Sequence, residues 1–159
     1  LNSLKEVGSE AEYGCILDEF RHFLQDNVSN LDAQTTYQLV MNHGRMDVML
    51  YYAELNGDHD RVISYHIQRR EWTKALDVLA KCQNASLYYT YSPTLMQYSP
   101  VGTTNAWINA TRTNARFLDP QKLIPALMRY DESSNPPGHK ANQALRFLQH
   151  CVKNLKNTD

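Results

Sequence analysis

Six histidines and three cysteines are the side chains of this sequence that could bind a metal ion or attack a substrate. Metal sites need such residues at set spacings, and the sequence contains no His-Glu-x-x-His motif, no Cys-x-x-Cys pair and no carboxylate-rich calcium loop. His150 and Cys151 are adjacent, but neighbouring residues of a helix point about 100° apart and cannot converge on one ion. We therefore predict no metal site and no cofactor.

The three cysteines are far apart in the sequence, and each falls on an apolar helical stripe: Cys15, Cys82 and Cys151. This placement favours reduced, buried thiols of a cytosolic protein over a disulfide framework or a cysteine nucleophile. The glycines are scattered and form no phosphate-binding loop. The sequence therefore gives no indication of nucleotide chemistry.

Two groups of acidic residues could act as general acids or bases. Asp58 and Asp60 flank His59, and Asp131 precedes Glu132. Both groups lie at predicted helix ends, where acidic side chains cap the helix or face solvent. We therefore assign no catalytic residue and predict that the chain is not an enzyme, keeping a small helical enzyme as a third hypothesis.

The composition is that of a folded chain without a strong electrostatic field. Of the 159 residues, 42% are hydrophobic and 21% are charged, and the formal net charge is −1. Such a chain is not expected to bind nucleic acid, and its apolar stretches are shorter than the roughly 20 residues of a membrane span. It begins at Leu1 without a basic and apolar leader, so we expect no secretory signal and expect a piece of a longer protein.

Apolar residues recur at helical spacing along most of the chain. The predicted helices are Ser9 to Val28, one between Asp32 and Gly44, Met46 to Leu55, one from Asp58 to about Arg69, one from about Glu71, Asn105 to Ala110, and His139 to Leu155. Asp32 and Asp58 are expected to cap helices, and Gly44 and Gly57 to end them. Because the links are short, consecutive helices should pack antiparallel as stacked hairpins.

Several helix openings resemble one another, which indicates a degenerate repeat. Three of them start with an acid, place a base three residues later and continue into an aliphatic pair: Asp58 to Ile63, Glu71 to Leu76 and Asp119 to Ile124. Asn142 to Leu145 is a looser fourth copy. A unit of this kind cannot cover its own apolar face, so it is stable only when neighbours stack on it. The pattern predicts an all-α fold, an α-solenoid formed by one domain over residues 1–159.

Three segments depart from regular helical patterns. Residues 87–98 are rich in tyrosine and contain Pro93; they have strand propensity, but we predict a helix-turn-helix. Asp119 is predicted to cap a further helix with Pro120 at its first position, and Pro125 is expected to bend that helix. Ser133 to Gly138, with two prolines and a glycine, is predicted to be a mobile loop. The last helix is predicted to bury one face, formed by Ala144, Leu145, Phe147, Leu148, Cys151, Val152 and Leu155.

Two tyrosine pairs could form a binding patch, because tyrosine is common in interface hot spots. They are Tyr51-Tyr52 and Tyr88-Tyr89. Packing between helices is the more frequent role of such residues, and we interpret both pairs in that way. The partner-binding residues stay unknown at the level of sequence.

An ordered series of segments carries a family resemblance. The series is Tyr51 to Leu55, Asp60 to His66, Trp72 to Leu79, Leu87 to Tyr89, Tyr91 to Pro93 with Leu95, Ala106 to Ile108, Leu123 to Leu127 with Tyr130, Ala144 to Phe147, and Cys151-Val152. It resembles the solenoid of the vacuolar protein sorting-associated protein 18 family, a class C core subunit of the HOPS and CORVET tethering complexes. No single motif is diagnostic, and the order of the series is what is specific.

The resemblance implies a clathrin-heavy-chain-like solenoid segment that acts as a structural scaffold in an endosomal or vacuolar (lysosomal) tethering complex. Family members also carry an N-terminal β-propeller and a C-terminal zinc-binding RING-type domain, which this sequence lacks. The implied partners are other class C subunits, with indirect links to SNAREs and Rab GTPases. The implied location is the cytosolic face of late endosomes and vacuoles, and the implied processes are vesicle docking and fusion, protein transport and autophagy.

The alternative function is a peptide-binding helical-repeat adaptor of the tetratricopeptide kind. In that class a concave groove captures a short linear motif. A signature with a 34-residue period would mark it, and we find no such period in this sequence.

Overall fold

The computed structural model describes residues 10–157, all of them in helices, turns and connecting segments, with no strand in that range. The α-helices are α1 (Glu10–Asn27), α2 (Ala33–Asn42), α3 (Met46–Leu55), α4 (His59–Gln68), α5 (Trp72–Cys82), α6 (Ala85–Tyr98), α7 (Pro100–Thr113), α8 (Ile124–Met128) and α9 (Gln143–Asn157). Short 3₁₀ helices cover Val28–Asn30, Pro120–Leu123 and Glu132–Ser134. The all-α prediction is confirmed. The chain divides into two compact units between Val62 and Ile63, within α4.

In the first unit, α3 is the central helix and packs against both α1 and α2. It is apolar on nearly every side, so it has little polar surface to present to water. Its buried residues are Val48, Met49, Tyr52 and Ala53, and Leu24 of α1 and Tyr37 and Val40 of α2 are buried as well. The predicted helix from Met46 to Leu55 is confirmed to the residue.

The predicted helix ends of this unit are confirmed by their hydrogen bonds. The Asp32 carboxylate accepts from the Thr35 N–H at 3.0 Å, and the Asp58 carboxylate accepts from the Arg61 N–H at 3.2 Å. Both bonds satisfy donors that the first turn of a helix leaves unpaired. Gly44 and Gly57 have φ of +65° and +70°, a conformation that favours glycine because it has no Cβ.

The second unit is organised around the indole of Trp107, which is completely buried in α7. Its Nε1–H donates to Ser92 Oγ of α6 at 2.9 Å. Its ring meets Phe147 of α9 edge to face, with 4.9 Å between the ring centroids. One side chain therefore joins three helices of the unit. The surrounding core includes Ile63, Ala75, Leu79, Tyr88, Leu95, Met96, Leu118, Leu123 and Ala126.

The prediction of a helix-turn-helix at residues 87–98 is wrong, because α6 runs through Pro93 without a break. A proline inside a helix removes one backbone hydrogen bond and costs about 3 kcal/mol. Tyr88, Ser92, Leu95 and Met96 lie on one face of α6 and are all buried. Burial of large apolar side chains is worth about 1.5–3 kcal/mol each, which is enough to offset the proline.

Gly102 allows α7 to lie close to α5. A Cβ at this position would come within 3.0 Å of Leu76 Cδ1 and of Ser99 Oγ. Real Cβ atoms rarely approach other atoms that closely, so a larger residue would require the Leu76 and Ser99 side chains to shift by a few tenths of an ångström. Here glycine serves packing, since its backbone is helical.

The structure between Pro120 and Gln143 differs from the sequence prediction in three places. Pro125 does not bend a helix, because it lies in the first turn of α8, where its missing N–H has no intrahelical partner to lose. The last helix begins at Gln143 and not at His139, since the Asn142 carbonyl oxygen Oδ1 accepts from the Leu145 N–H at 2.9 Å and caps it there. Part of the predicted loop forms a 3₁₀ helix, Glu132–Ser134.

The hydroxyl of Tyr130 ties this loop to the start of α9. It donates to Asn135 Oδ1 at 3.0 Å and accepts from the Gln143 N–H at 3.1 Å. Asn135 in turn donates from Nδ2 to the Ala141 carbonyl at 3.1 Å. The loop is therefore held by defined hydrogen bonds at the point where α9 begins.

We predict that Ser92→Ala lowers the free energy of unfolding by about 1–3 kcal/mol, because it leaves the buried Trp107 N–H without its acceptor. Urea unfolding followed by tryptophan fluorescence measures this change. Ser86→Ala is the matched control: the same substitution at an exposed site of the same helix should change stability by less than about 0.5 kcal/mol. Equal effects of the two substitutions would contradict the role of Ser92.

We predict that Tyr130→Phe destabilises the second unit by about 1–2 kcal/mol and speeds amide exchange at Gln143, since it removes both hydroxyl bonds. Hydrogen exchange read by NMR or mass spectrometry tests this directly. Tyr98→Phe serves as a control, because that ring is about half exposed. Unchanged exchange at Gln143 would show that the Tyr130 hydroxyl does not hold the helix start.

Candidate docking surface

The histidines and cysteines do not assemble into a reactive site. Within the part of the chain that the structure describes, no three His, Cys, Asp or Glu side chains lie together in a way that could hold a metal ion. His150 Nε2 lies 2.9 Å from Thr111 Oγ1 of α7 and 3.2 Å from Asn154 Nδ2. Partial burial, with the positive charges of Arg112 and Lys153, lowers the pKa of His150 below its usual value. The contact with Thr111 attaches α9 to α7.

The prediction that all three cysteines are buried is wrong. Cys15 is exposed on α1, and Cys82 and Cys151 are partly buried. Burial raises the pKa of the Cys151 thiol, which disfavours the reactive thiolate. Helical spacing located the stripes on which these residues lie, but it could not show how much of each stripe a neighbouring helix covers.

The acidic residues act at helix ends. The Asp131 carboxylate accepts from the Ser133 N–H at 2.9 Å, and Asp58 caps α4 as described above. Glu71 does not cap α5. It pairs with Lys74 at 2.6 Å and Arg69 at 3.1 Å, and the hydrogen bond from Lys74 is the main cause of its lowered pKa.

The three similar helix openings therefore differ in detail. Asp58 pairs with Arg61 at 3.2 Å and Glu71 with Lys74, as the pattern predicts. In the third copy, Lys122 lies over the ring of Tyr89, 5.5 Å from its centroid. The predicted inward aliphatic pair also fails there, because Leu123 is buried and Ile124 is exposed. That copy starts a 3₁₀ helix, whose tighter turn changes which residues share a face.

The two tyrosine pairs serve packing, as interpreted from the sequence. Tyr52 and Tyr88 are buried, and the Tyr52 ring packs at 5.0 Å from that of Tyr37. The Tyr89 hydroxyl accepts from the Asp119 N–H at 2.7 Å, while Tyr51 lies under Arg21 at 5.7 Å. Neither pair forms an open aromatic patch.

An open apolar surface lies on α9, where the sequence predicted a buried face. Phe147 is fully buried, but Leu145, Leu148, Val152 and Leu155 are 55%, 45%, 52% and 68% exposed. The prediction of one inner surface is therefore wrong for these four residues. Their spacing follows the a and d positions of a heptad, so they form a stripe of their own beside the one that carries Phe147.

Leu145, Leu148 and Val152 of this stripe form one wall of a groove in the second unit, which we call the α7–α9 groove. It has a volume of about 650 Å³, and its lining residues are Ile108, Arg112, Leu145, Arg146, Leu148, Gln149, His150, Val152 and Lys153. Ile108 and Arg112 belong to α7 and lie 33 or more residues before Leu145 in the sequence. Helical spacing alone therefore could not place them beside α9. An open apolar groove with a charged rim is typical of protein interaction surfaces.

A second cavity lies on another face of α9. It has a volume of about 440 Å³ and is lined by Thr111, Ala115, Arg116, Leu118, Asp119, Pro120, Phe147, Cys151, Asn154 and Leu155. It contains only one thiol, whose pKa is raised, and no convergent set of titratable groups among the described residues. We find no catalytic arrangement there.

In the described residues, none of the helices has the length and apolar character required to cross a membrane.

Comparisons with known proteins give a consistent result along the chain. Residues 2–58 match the family model for the first half of the VPS18 α-solenoid domain, and residues 59–159 match the model for its second half. The two models adjoin four residues before the boundary of the compact units. The predicted α-solenoid is confirmed by these matches.

Curated relatives agree with the family models. The chain is 36% identical over 143 residues to vacuolar protein sorting-associated protein 18 homolog of Danio rerio, covering 87% of this chain and 14% of that protein. It is 32% identical over 152 residues to vacuolar sorting protein 18 of Arabidopsis thaliana, covering 94% and 15%. Vacuolar membrane protein pep3 of Schizosaccharomyces pombe is 26% identical over 134 residues, covering 84% and 14%. The chain thus spans about one seventh of the length of these relatives.

We predict that the stability of the second unit falls as the pH is lowered from about 7.5 to 5.5, in part through His150. Its pKa is lowered in the folded state, so the unfolded chain takes up the proton first and acid favours unfolding. The contribution of neutral His150 to the free energy of unfolding is complete above the usual histidine pKa. It is lost as the pH falls from there through the lowered pKa of the folded state. Chemical unfolding at several pH values should show a flatter pH profile for His150→Gln, whereas the exposed control His139→Gln should keep the wild-type profile.

Proposed function

The chain belongs to the VPS18 family, and from this membership we propose that it is a scaffold segment of a membrane-tethering complex, holding other protein subunits in place. The observation that carries the proposal is the match of both halves of the VPS18 α-solenoid domain, which together span residues 2–159. The relatives are named for vacuolar protein sorting. A role in that process follows from the family, and its details are part of the proposal.

A solenoid suits this work for a physical reason. Each repeat contacts only its neighbours, so the length of the rod and the area of its surface grow with the number of repeats. Such a rod can present separate docking sites to several partners at once. The exposed α7–α9 groove is consistent with a segment that contacts a further protein.

We propose that the partners are the other class C subunits of the HOPS and CORVET complexes, with Rab GTPases and SNAREs linked through the assembled complex. The site of action would be the cytosolic face of late endosomal and vacuolar membranes, in vesicle docking and fusion, protein transport and autophagy. The chain would act without catalysis and without a cofactor. In support of this, Asp58 and Asp131 accept hydrogen bonds from backbone N–H groups at helix starts, Glu71 pairs with Lys74, and His150 lies at hydrogen-bond distance from Thr111.

A retention experiment tests the proposal. The tagged 159-residue chain is immobilised, and purified class C subunits are passed over it one at a time. We expect at least one subunit to be retained severalfold above a resin control, since a scaffold must bind its neighbours. Failure of every subunit to bind would contradict a docking role for this segment.

The matched control separates specific docking from adhesion to exposed apolar surface. Trp107→Ala removes the side chain that joins α6, α7 and α9 and is expected to cost about 3–5 kcal/mol. Retention that depends on the folded second unit should fall to background in this variant. Equal retention by the wild-type and Trp107→Ala chains would mean that the binding does not depend on the folded second unit.

A further inference from the structure

Four consecutive helix ends have the same left-handed backbone. They follow α2, α3, α4 and α5 at intervals of 13 residues, and φ is +65° at Gly44, +70° at Gly57, +59° at Arg70 and +47° at Gln83. In this conformation the Cβ of an L-residue is crowded, so glycine is the residue that it favours. Glycine occupies the first two positions. Arg70 and Gln83 therefore hold a strained backbone where glycine would be relaxed.

The side chain of Gln83 lines a cavity in the second unit, which we call the Gln83 cavity. It has a volume of about 330 Å³, and its walls come from α5, α6, α7 and the segment that follows α7. It shares no residue with either opening at α9. No residue of α1 or α9, the first and last helices of the described range, contributes to its walls. Its shape therefore depends only on helices that have neighbours on both sides in the sequence.

Small side chains give the Gln83 cavity its space, and aromatic rings close it. Ala80, Ala106 and Ala110 line it, and their side chains end at Cβ. Tyr88 is buried, and its ring meets that of Phe117 edge to face, with 5.6 Å between the ring centroids. A volume near the lower end of the roughly 300–1,000 Å³ range of ligand sites suits one or two residues of a bound chain, not a whole helix.

The polar lining of the Gln83 cavity is neutral. It consists of the carboxamides of Gln83, Asn109 and Asn114 and the hydroxyl of Thr113, and no charged side chain lines the cavity. Asn114 Oδ1 accepts from the Arg116 N–H at 3.1 Å, which fixes the orientation of that amide. The Gln83 and Asn109 side chains are exposed, and neither hydrogen-bonds to another residue of the described chain. Both amides are therefore available to a ligand.

We propose that the Gln83 cavity binds a short uncharged segment of a partner protein that carries a carboxamide side chain, asparagine or glutamine. Each carboxamide of the lining has a donor and an acceptor, so it can pair with a ligand amide through both groups. Apolar neighbours of that ligand residue would pack against the alanines and Phe117. The inference rests on the proposed function in one respect, that this segment acts by binding other proteins.

The absence of charge in the lining decides against charged ligands. A carboxylate or an ammonium group would lose hydration on entry and would find no opposite charge among the lining residues. Burying an unpaired charge is far more costly than burying an amide that is hydrogen-bonded. The Gln83 cavity should therefore discriminate between glutamine and its charged isostere glutamate.

The backbone strain at Gln83 fits a residue that is kept for its side chain. Glycine would relieve the strain, but it would also remove an amide from the cavity. Strained residues cluster at binding sites, where the surrounding structure maintains them. Strain alone does not identify a site, because Arg70 has the same backbone away from this cavity. Arg70 therefore provides a control that separates the effect of backbone relief from the effect on binding.

An NMR titration of the ¹⁵N-labelled 159-residue chain tests the proposal. The probes are two acetylated and amidated pentapeptides, alanine-leucine-X-leucine-alanine, in which X is glutamine or glutamate. We expect the glutamine peptide to shift the side-chain amide signals of Gln83 and Asn109. Its Kd should be lower than that of the glutamate peptide by about fivefold or more, since only the amide can pair with the neutral lining.

Two variants remove amides from the Gln83 cavity. Gln83→Gly should weaken binding of the glutamine peptide about fivefold or more, and it should raise the melting temperature by roughly 1–4 °C because the backbone is relieved. Asn109→Leu replaces an exposed amide by an apolar side chain of similar size and should weaken binding in the same way. Circular dichroism melts measure stability and confirm that each variant is folded.

Arg70→Gly is the matched control. It relieves the same left-handed backbone at a residue that does not line the cavity. It should raise the melting temperature as Gln83→Gly does, while the Kd of the glutamine peptide stays unchanged. A loss of binding that appears only in Gln83→Gly and Asn109→Leu assigns the effect to the cavity.

Five results would overturn the proposal. They are unmoved Gln83 and Asn109 signals with either peptide at millimolar concentration, equal affinity for the two peptides, binding that survives Gln83→Gly, equal weakening by Arg70→Gly, and tighter binding of maltose than of the glutamine peptide at the same signals. The last result would assign the cavity to an uncharged saccharide.

The retention experiment separates this inference from the proposed function. Retention of a class C subunit that neither Gln83→Gly nor Asn109→Leu alters would overturn the cavity assignment alone. Binding of the glutamine peptide at the Gln83 cavity without retention of any subunit would support the cavity and contradict the proposed function.

Discussion

The buried indole of Trp107 is the contact on which the second compact unit depends. It hydrogen-bonds to Ser92 on α6 and packs edge to face on Phe147 of α9, so one side chain sets the positions of three helices. An indole N–H buried without an acceptor would cost about 1–3 kcal/mol, and the serine hydroxyl removes that cost. Because Ser92 precedes Pro93, the same contact lies where the backbone ladder of α6 loses a hydrogen bond. Tertiary packing thus maintains the helix at its weakest point.

The position of Phe147 decides what α9 leaves open. Once Phe147 points at Trp107, residues two positions before it and one and five positions after it turn away from the core, and Leu145, Leu148 and Val152 face solvent. Contacts from Arg146 to Asn105 and from His150 to Thr111 fix the rotation of the helix about its axis. A helix with a broad apolar surface therefore supplies both a core face and an exposed stripe. Broad apolar faces of this kind allow the units of a solenoid to bind further helices.

The lysines and arginines beside that exposed stripe have no acidic residue near them on the same two helices. The net charge of −1 suggests a neutral surface, yet α7 and α9 have no acidic residue and together carry Arg112, Arg146, Lys153 and Lys156. Elsewhere in the described chain cations pair locally, as Arg61 does with Asp58 and with the Tyr37 ring at 3.9 Å, and as Lys74 does with Glu71. Composition averages over such differences, and interaction energies depend on local separation because charges in water are screened within about 10 Å.

The sequence by itself determined the helical class and the ends of most helices up to α5, but it missed the unbroken α6, both ends of α7 and the start of α9. Caps such as Asp32 and Asp58 and the left-handed glycines act within one turn, and such local interactions can be read along the chain. The ordered series of residues from Tyr51 to Val152 also indicated the family. Only the tertiary structure decided which side of each stripe is covered. It exposed Cys15 and Leu148, kept α6 continuous through Pro93 and joined Ile108 and Arg112 to α9 in one groove. Periodicity reports that a face is apolar, but burial depends on which distant helix arrives there, and that is a property of packing between residues far apart in the chain.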